Sequence, residues 1–146
     1  MDLTNLSGLS ASEAAQLIGD GVISSEQLVG ACLARVRETD PQIQAWAFLD
    51  PEHALAQARA ADEWRLGGGP TGPLHGVPVG IKDIIDTADM PTENGSVLHA
   101  GRTPSRDATV VSTLRAAGAV IMGKTDRKST RLNSSHIQKS RMPSSA

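Results

Sequence analysis

Aromatic side chains are almost missing from this chain: two tryptophans, one phenylalanine and no tyrosine among 146 residues. A core must therefore be filled by Leu, Ile, Val and Ala, and this length leaves room for one domain with a modest core. Cysteine is nearly missing too. Cys32 stands alone, which excludes an internal disulfide and fits a reducing compartment. No apolar run approaches the roughly 18 residues that span a bilayer. The start, Met1-Asp2-Leu3-Thr4, has neither the basic nor the apolar region of a secretory leader. These absences predict a soluble, cytoplasmic protein with no membrane partner. His53 and His75 lack metal-ligand spacing and are expected in surface or loop positions, so the sequence calls for no metal.

Charge is unevenly spread. Residues 126–146 hold Arg127, Lys128, Arg131, Lys139 and Arg141 against the single acid Asp126, whereas the first 125 residues carry nine basic and fifteen acidic groups. Two compositions meet just after Thr125. The basic end holds six serines in 21 residues and no periodic apolar face, a composition that cannot bury enough surface to order itself. Without aromatics between its charges it is a poor nucleic-acid arm, and no nucleic-acid partner is expected.

The rest is punctuated by helix and strand signals. Ser10 with Glu13 and Ser24 with Gln27 have capping-box spacing. Behind them lie the apolar positions Ala14, Leu17 and Ile18, then Leu28, Val29, Cys32, Leu33 and Val36. Cys32 belongs to that stripe and reads as a small core hydrophobe. Pro41 is expected to stop the second helix at Asp40. Residues 43–49 then read as a strand. Asp50 and Pro51 open a third helix with Ala54, Leu55, Ala58 and Ala61 on one side, which ends at Gly67-Gly68-Gly69-Pro70. No helix follows those glycines, so they read as a linker and not as a phosphate cradle. A turn-rich loop fills 87–105. Asp107 is expected to cap a helix over 108–117 with Val110, Val111, Leu114 and Ala117 facing inward, and Gly118 stops it. Ala119-Val120-Ile121-Met122 is a short buried strand.

One stretch organises the whole: G-P-L-H-G-V-P-V-G-I-K-D-I-I-D-T, residues 72–87. Its β-branched run, Val77, Val79 and Ile81, is broken by Pro78 and Gly80 and ends on Lys82. A lysine drawn into an apolar setting loses its proton readily and becomes a candidate base. Asp83 and Asp86, just beyond it, read as acceptors that order the loop. Strand, helix, strand from 77 to 122 is a crossover unit, which predicts an α/β fold with these two strands parallel.

The pattern G-P-L-x-G-V-P-V-G-I-K-D resembles the first catalytic block of the amidase signature family, serine hydrolases that cleave carboxamide C–N bonds. Asp107 to Thr125 (D-A-T-V-V-x-x-L-R-A-A-G-A-V-I-M-G-K-T) is similar to the helix and strand that follow in that family, and residues 6–66 are compatible with it. The resemblance implies an incomplete α/β/α fold: N-terminal helices, then part of a mixed sheet with helices on its faces, over residues 1–125. It casts Lys82 as the lysine of a Ser–Ser–Lys triad acting on a small-molecule amide without a cofactor. Ser96, in N-G-S, is a candidate substrate contact. Hydrolysis to an acid and ammonia or an amine is expected. Ammonia transfer by an amidotransferase subunit, or a non-catalytic α/β piece, are the alternatives. Both serines and the oxyanion glycines of the family come from a Gly/Ser-rich block that these 146 residues do not contain, so the chain as given is expected to be inactive. Ser134 and Ser144 lie in the wrong context for a nucleophile. Residues 126–146 depart from the family pattern and resemble translated adapter or vector sequence.

A rival motif overlaps the last strand. Gly118 to Thr125 matches G-x-x-x-x-G-K-[ST], the phosphate-binding pattern. Its mechanism needs a helix after the loop, whose backbone N–H groups surround the phosphates. Here the motif follows a helix and is itself the strand, so no nucleotide binding is expected.

Overall fold

A computed structural model describes residues 5–126. The basic segment 127–146, including Ser134 and Ser144, lies outside the described residues. After a 3-10 turn at Leu6–Gly8, helix α1 (Ala11–Gly19) starts on a complete capping box. The Ser10 amide donates to Glu13 Oε2 at 2.9 Å and the Glu13 amide donates back to Ser10 Oγ at 3.3 Å. Helix α2 (Ser25–Ile43) repeats the device with Ser24 and Gln27. Its first two amides, Ser25 and Glu26, also donate to the Asp62 carboxylate at 2.8 and 2.9 Å, so a side chain of the third helix completes the cap.

Pro41 does not stop α2. It sits in the last turn, at the exposed end, where the missing N–H leaves only a solvent-accessible carbonyl without its partner. The helix closes three residues later on Gln44, in the left-handed region at φ 55°. Its amide donates to Asp40 O at 2.7 Å. Strand β1 is accordingly shorter than the sequence suggests, Trp46–Leu49. Helix α3 (Pro51–Leu66) starts as expected, with the His53 amide donating to Asp50 Oδ1 at 3.1 Å.

Strands β2 (Pro78–Lys82) and β3 (Val120–Thr125) are joined through helix α4 (Thr109–Ala116). They pair in parallel, as the crossover reading requires, and β1 joins the other side of β3 antiparallel, giving the order β1-β3-β2. This is a mixed α/β architecture. Asp107 does not cap α4. Its carboxylate instead accepts from the Ala88 amide and from Arg115 Nε, and Ala108 occupies the cap position without a side-chain bond. The helix is short, so only Val111 is fully buried on it, and Val110, expected inside, is exposed. Gly118 ends the crossover at φ 90°. A Cβ there would lie 2.8 Å from His75 Cα, so both backbone angle and space call for glycine. His75 lies in the turn before β2, a loop position as expected, but is buried there, and its Nε2 lies 2.9 Å from Ala61 O.

Among the described residues three apolar clusters fill the interior. Leu17, Ile18, Ile23, Leu28 and Val77 form the first, Val29, Leu33, Ala54, Ala58, Val120 and Met122 the second. The third, Ile81, Met90, Val111 and Ile121, lies on the α4 side of the sheet. Each fully buried aliphatic side chain contributes about 1.5–3 kcal/mol relative to exposure. Cys32 packs beside the first two clusters, and burial raises its thiol pKa, consistent with a packing role.

Candidate active site

Lys82 is the last residue of β2, at the carboxyl end of a strand that runs parallel to β3. In open α/β sheets this is the edge at which ligand groups gather. Lys82 pairs in register with Thr125, and the next amide, that of Asp83, donates to Thr125 O at 3.0 Å. The chain then turns at once: the Ile85 amide donates to Lys82 O at 2.9 Å. Gly80, two residues back on the same face, is where a Cβ would come within 3.0 Å of Thr125 Cγ2 and 3.1 Å of Trp46 Cη2. The backbone beside the lysine is thus closely packed.

The Lys82 side chain is not. The family resemblance implies an amine drawn into a shielded setting, whereas the residue is exposed and its Nζ makes no hydrogen bond or ion pair among the described residues. Its companions on that face are a glycine, a threonine and the edge of an indole, which are too small or too distant from the strand end to cover a four-carbon stem.

The loop after Lys82 is tied down by the two aspartates, as expected of them. Asp83 is 3% exposed. Its carboxylate accepts from the amides of Glu93 at 3.1 Å and Gly95 at 3.0 Å. Asp86 holds Arg102 with two bonds of 2.9 and 3.1 Å, and the guanidinium keeps its carboxyl below the usual range. Through Asp83 the segment carrying Ser96 is brought against the end of β2. Ser96 itself caps the short 3-10 turn Val97–His99, its Oγ accepting from the Leu98 amide at 3.3 Å.

Two groups that sequence reasoning missed lie around this loop. The first is Lys124, read from sequence only as part of a phosphate motif. It is fully buried. Its Nζ donates to Ile85 O at 2.6 Å, Thr92 Oγ1 at 2.6 Å and Thr87 Oγ1 at 3.2 Å. Burial lowers its pKa, an effect opposed by the charges of Asp83, Asp86 and Asp89. The second is a cluster joining three elements. Asp89 accepts from Arg115 Nη2 at 2.7 Å and lies 2.8 Å from His53 Nε2. Arg115 Nε reaches Asp107 at 2.9 Å. Burial pushes the Asp89 carboxyl up, but the His53 and Arg115 contacts outweigh it and hold it below the ordinary value. Gln57 on α3 brackets Ile121 of β3, donating to its carbonyl at 3.0 Å and accepting from its amide at 3.1 Å. Isolated His, Asp and Arg residues far apart in the chain carry no spacing signal that could have joined them. Among the described residues no three His, Cys, Asp or Glu side chains come together as a metal site. No helix among them is long and apolar enough to cross a membrane.

With this geometry in place, the comparison with known families is decisive: the Amidase family model matches residues 27–141. The chain belongs to the amidase family. Among its relatives, a glutamyl-tRNA(Gln) amidotransferase subunit of Chloroflexus aggregans is 48% identical over 122 residues, 84% of this chain and 25% of that protein. The putative amidase AmiD of Mycobacterium tuberculosis is 45% identical over 124 residues, 85% of this chain and 26% of that protein. Among solved structures, the peptide amidase of Stenotrophomonas maltophilia superposes with a TM-score of 0.76 at 37% identity, covering 82% of this chain and 25% of the other. The chain thus spans about a quarter of the length of the curated relatives it matches.

Proposed function

We propose that this amidase-family chain supplies the lysine base of amide hydrolysis, and that the residue is Lys82. The observation that carries the reading is its placement. Lys82 closes G-V-P-V-G-I-K at the carboxyl end of a parallel strand, on a backbone fixed by Thr125, Ile85 and the Asp83 loop. In the reaction, the Lys82 amine takes a proton from a bridging serine, which takes one from the serine nucleophile. The nucleophile adds to the carbonyl of a small linear amide, and backbone N–H groups stabilise the oxyanion. The C–N bond then breaks, the nitrogen leaves as ammonia or an amine with the relayed proton, and water cleaves the acyl ester to the acid. The 146 residues contain no Gly/Ser-rich block, so both serines would come from the three quarters of the relatives' length that this chain does not match. Ser96 would contact the substrate from the tethered loop. The cytoplasm is the fitting compartment for a chain with one unpaired cysteine.

A second reading has its own support, because one relative is a glutamyl-tRNA(Gln) amidotransferase component. There the released ammonia would pass to an acceptor instead of to solvent, with the same role for Lys82.

The test has two arms. Residues 1–146 alone should release no ammonia from a panel of simple amides. Residues 1–125 grafted in place of the matching quarter of the Stenotrophomonas maltophilia peptide amidase should give an enzyme whose turnover disappears in Lys82→Ala. Turnover by the isolated chain, or a graft indifferent to Lys82→Ala, would overturn the reading.

A further inference from the structure

We infer that Lys124 is a positioning residue for the reaction, holding from beneath the sheet the turn that carries Lys82. The inference rests on the role proposed for Lys82. Its starting point is a break in strand alternation. Val79 pairs with Ile121 and Gly80 with Gly123, which leaves Met122 as an extra residue in β3. Without that bulge, Lys124 would follow Val120 and Met122 onto the face packed by α2 and α3. With it, Lys124 pairs with Ile81 and lands on the α4 face, beneath the loop that leaves β2.

The polarity of the contacts there is defined. The Thr87 hydroxyl donates its proton to Met90 O at 3.3 Å, so towards Lys124 it can only accept. The Ile85 carbonyl also only accepts. With Thr92 Oγ1 as the third partner, the three protons of an ammonium are used on three oxygens, and none remains for a ligand. These oxygens come from both strands of the loop, residues 85–87 going out and 92 coming back. Ile85 is the link to the site, because its carbonyl takes the Lys124 proton while its amide holds Lys82 O. Asp83, one residue past Lys82, ties the returning strand at Glu93 and Gly95. Lys124, through Ile85, and Asp83 thus fasten the same loop at two points, and both points lie within three residues of Lys82. This also accounts for the G-K-T motif without a phosphate: its lysine is a strand residue already bound to its own chain.

The measurement is amide hydrogen exchange on the full 146-residue chain, in wild type, Lys124→Met and Thr92→Val. The second variant removes a single acceptor in the same shape and leaves Lys124 in place. In both, the amides of Ile85, Glu93 and Gly95 should exchange about tenfold faster or more, and by a larger factor than those of Val29 and Ala58. Unchanged loop rates, or acceleration spread equally through α2 and α3, would overturn the inference. Should Lys124→Met fail to fold, Thr92→Val decides alone by the same criterion. In the peptide amidase graft, Lys124→Met and Thr92→Val should lower kcat about tenfold or more with little change in KM, as expected when a base is misplaced and not removed. A released loop with unchanged kcat would also overturn it. A graft whose turnover survives Lys82→Ala counts against the role of Lys82, and the exchange rates still decide whether Lys124 holds the turn.

Discussion

Lys82 and Lys124 stand one register position apart on neighbouring parallel strands, and their surroundings differ in almost every respect. Lys82 is exposed, with its backbone fixed and its amine uncommitted; Lys124 is buried, with its amine committed to three oxygens. An uncommitted amine on a rigid strand end is available for chemistry, whereas an amine with every proton engaged is available only for structure. Burial of a titratable group is therefore a weak guide to catalysis when its hydrogen bonds are already closed within the fold.

That contrast can be broken most sharply by exchanging the losses. Lys82→Ala in the peptide amidase graft should lower kcat by about 10²–10⁴-fold, the usual contribution of a general base. Unfolding of the same variant should shift by no more than about 0.5 kcal/mol, as for other exposed positions. Lys124→Ala should do the opposite to the 146-residue chain. It leaves a cavity and three oxygens without their donor, and urea unfolding should show a loss of about 2–5 kcal/mol.

Smaller changes sharpen the picture of the loop between the two lysines. Asp83→Ala removes the acceptor of the Glu93 and Gly95 amides and should cost about 2 kcal/mol, read from the urea midpoint. The pH dependence should divide by sign. Asp89 is held below the ordinary carboxylate value of 3.8, so its contribution is complete above that value and fades as pH falls below it. The stability difference between wild type and Asp89→Asn should therefore shrink in acid. Lys124 is held below the ordinary lysine value of 10.5, so the unfolded chain binds more protons in the window beneath it. The cost of burying that charge should fade as pH rises towards 10.5, so the stability gap between wild type and Lys124→Met, read from urea midpoints, should widen in that direction.

Much of the fold was legible in local signals, because the capping boxes, Asp50-Pro51 and Gly118 act within one turn of chain. The parallel pairing of β2 and β3 followed from the strand–helix–strand order. What stayed hidden was set by tertiary contact. Asp107 looks like a cap in sequence, but Arg115 and the Ala88 amide compete for it and win. Pro41 looks like a stop, but in a last turn it forfeits only a solvent-facing bond. Lys82 was legible as a strand-end lysine, yet its exposure was not, since shielding depends on neighbours far away in sequence. Lys124 was placed in the strand, but its face stayed hidden for a further reason: a one-residue bulge moved it to the other side, and nothing in G-K-T announces a bulge.

The division of labour between the two lysines is tested most directly by measuring turnover and thermal midpoint together in the peptide amidase graft, for Lys82→Ala and Lys124→Met side by side. Lys82→Ala should lose turnover and keep its midpoint, while Lys124→Met should lose part of both. Full turnover in Lys82→Ala, or a Lys124→Met enzyme unchanged in midpoint and kcat, would contradict the account.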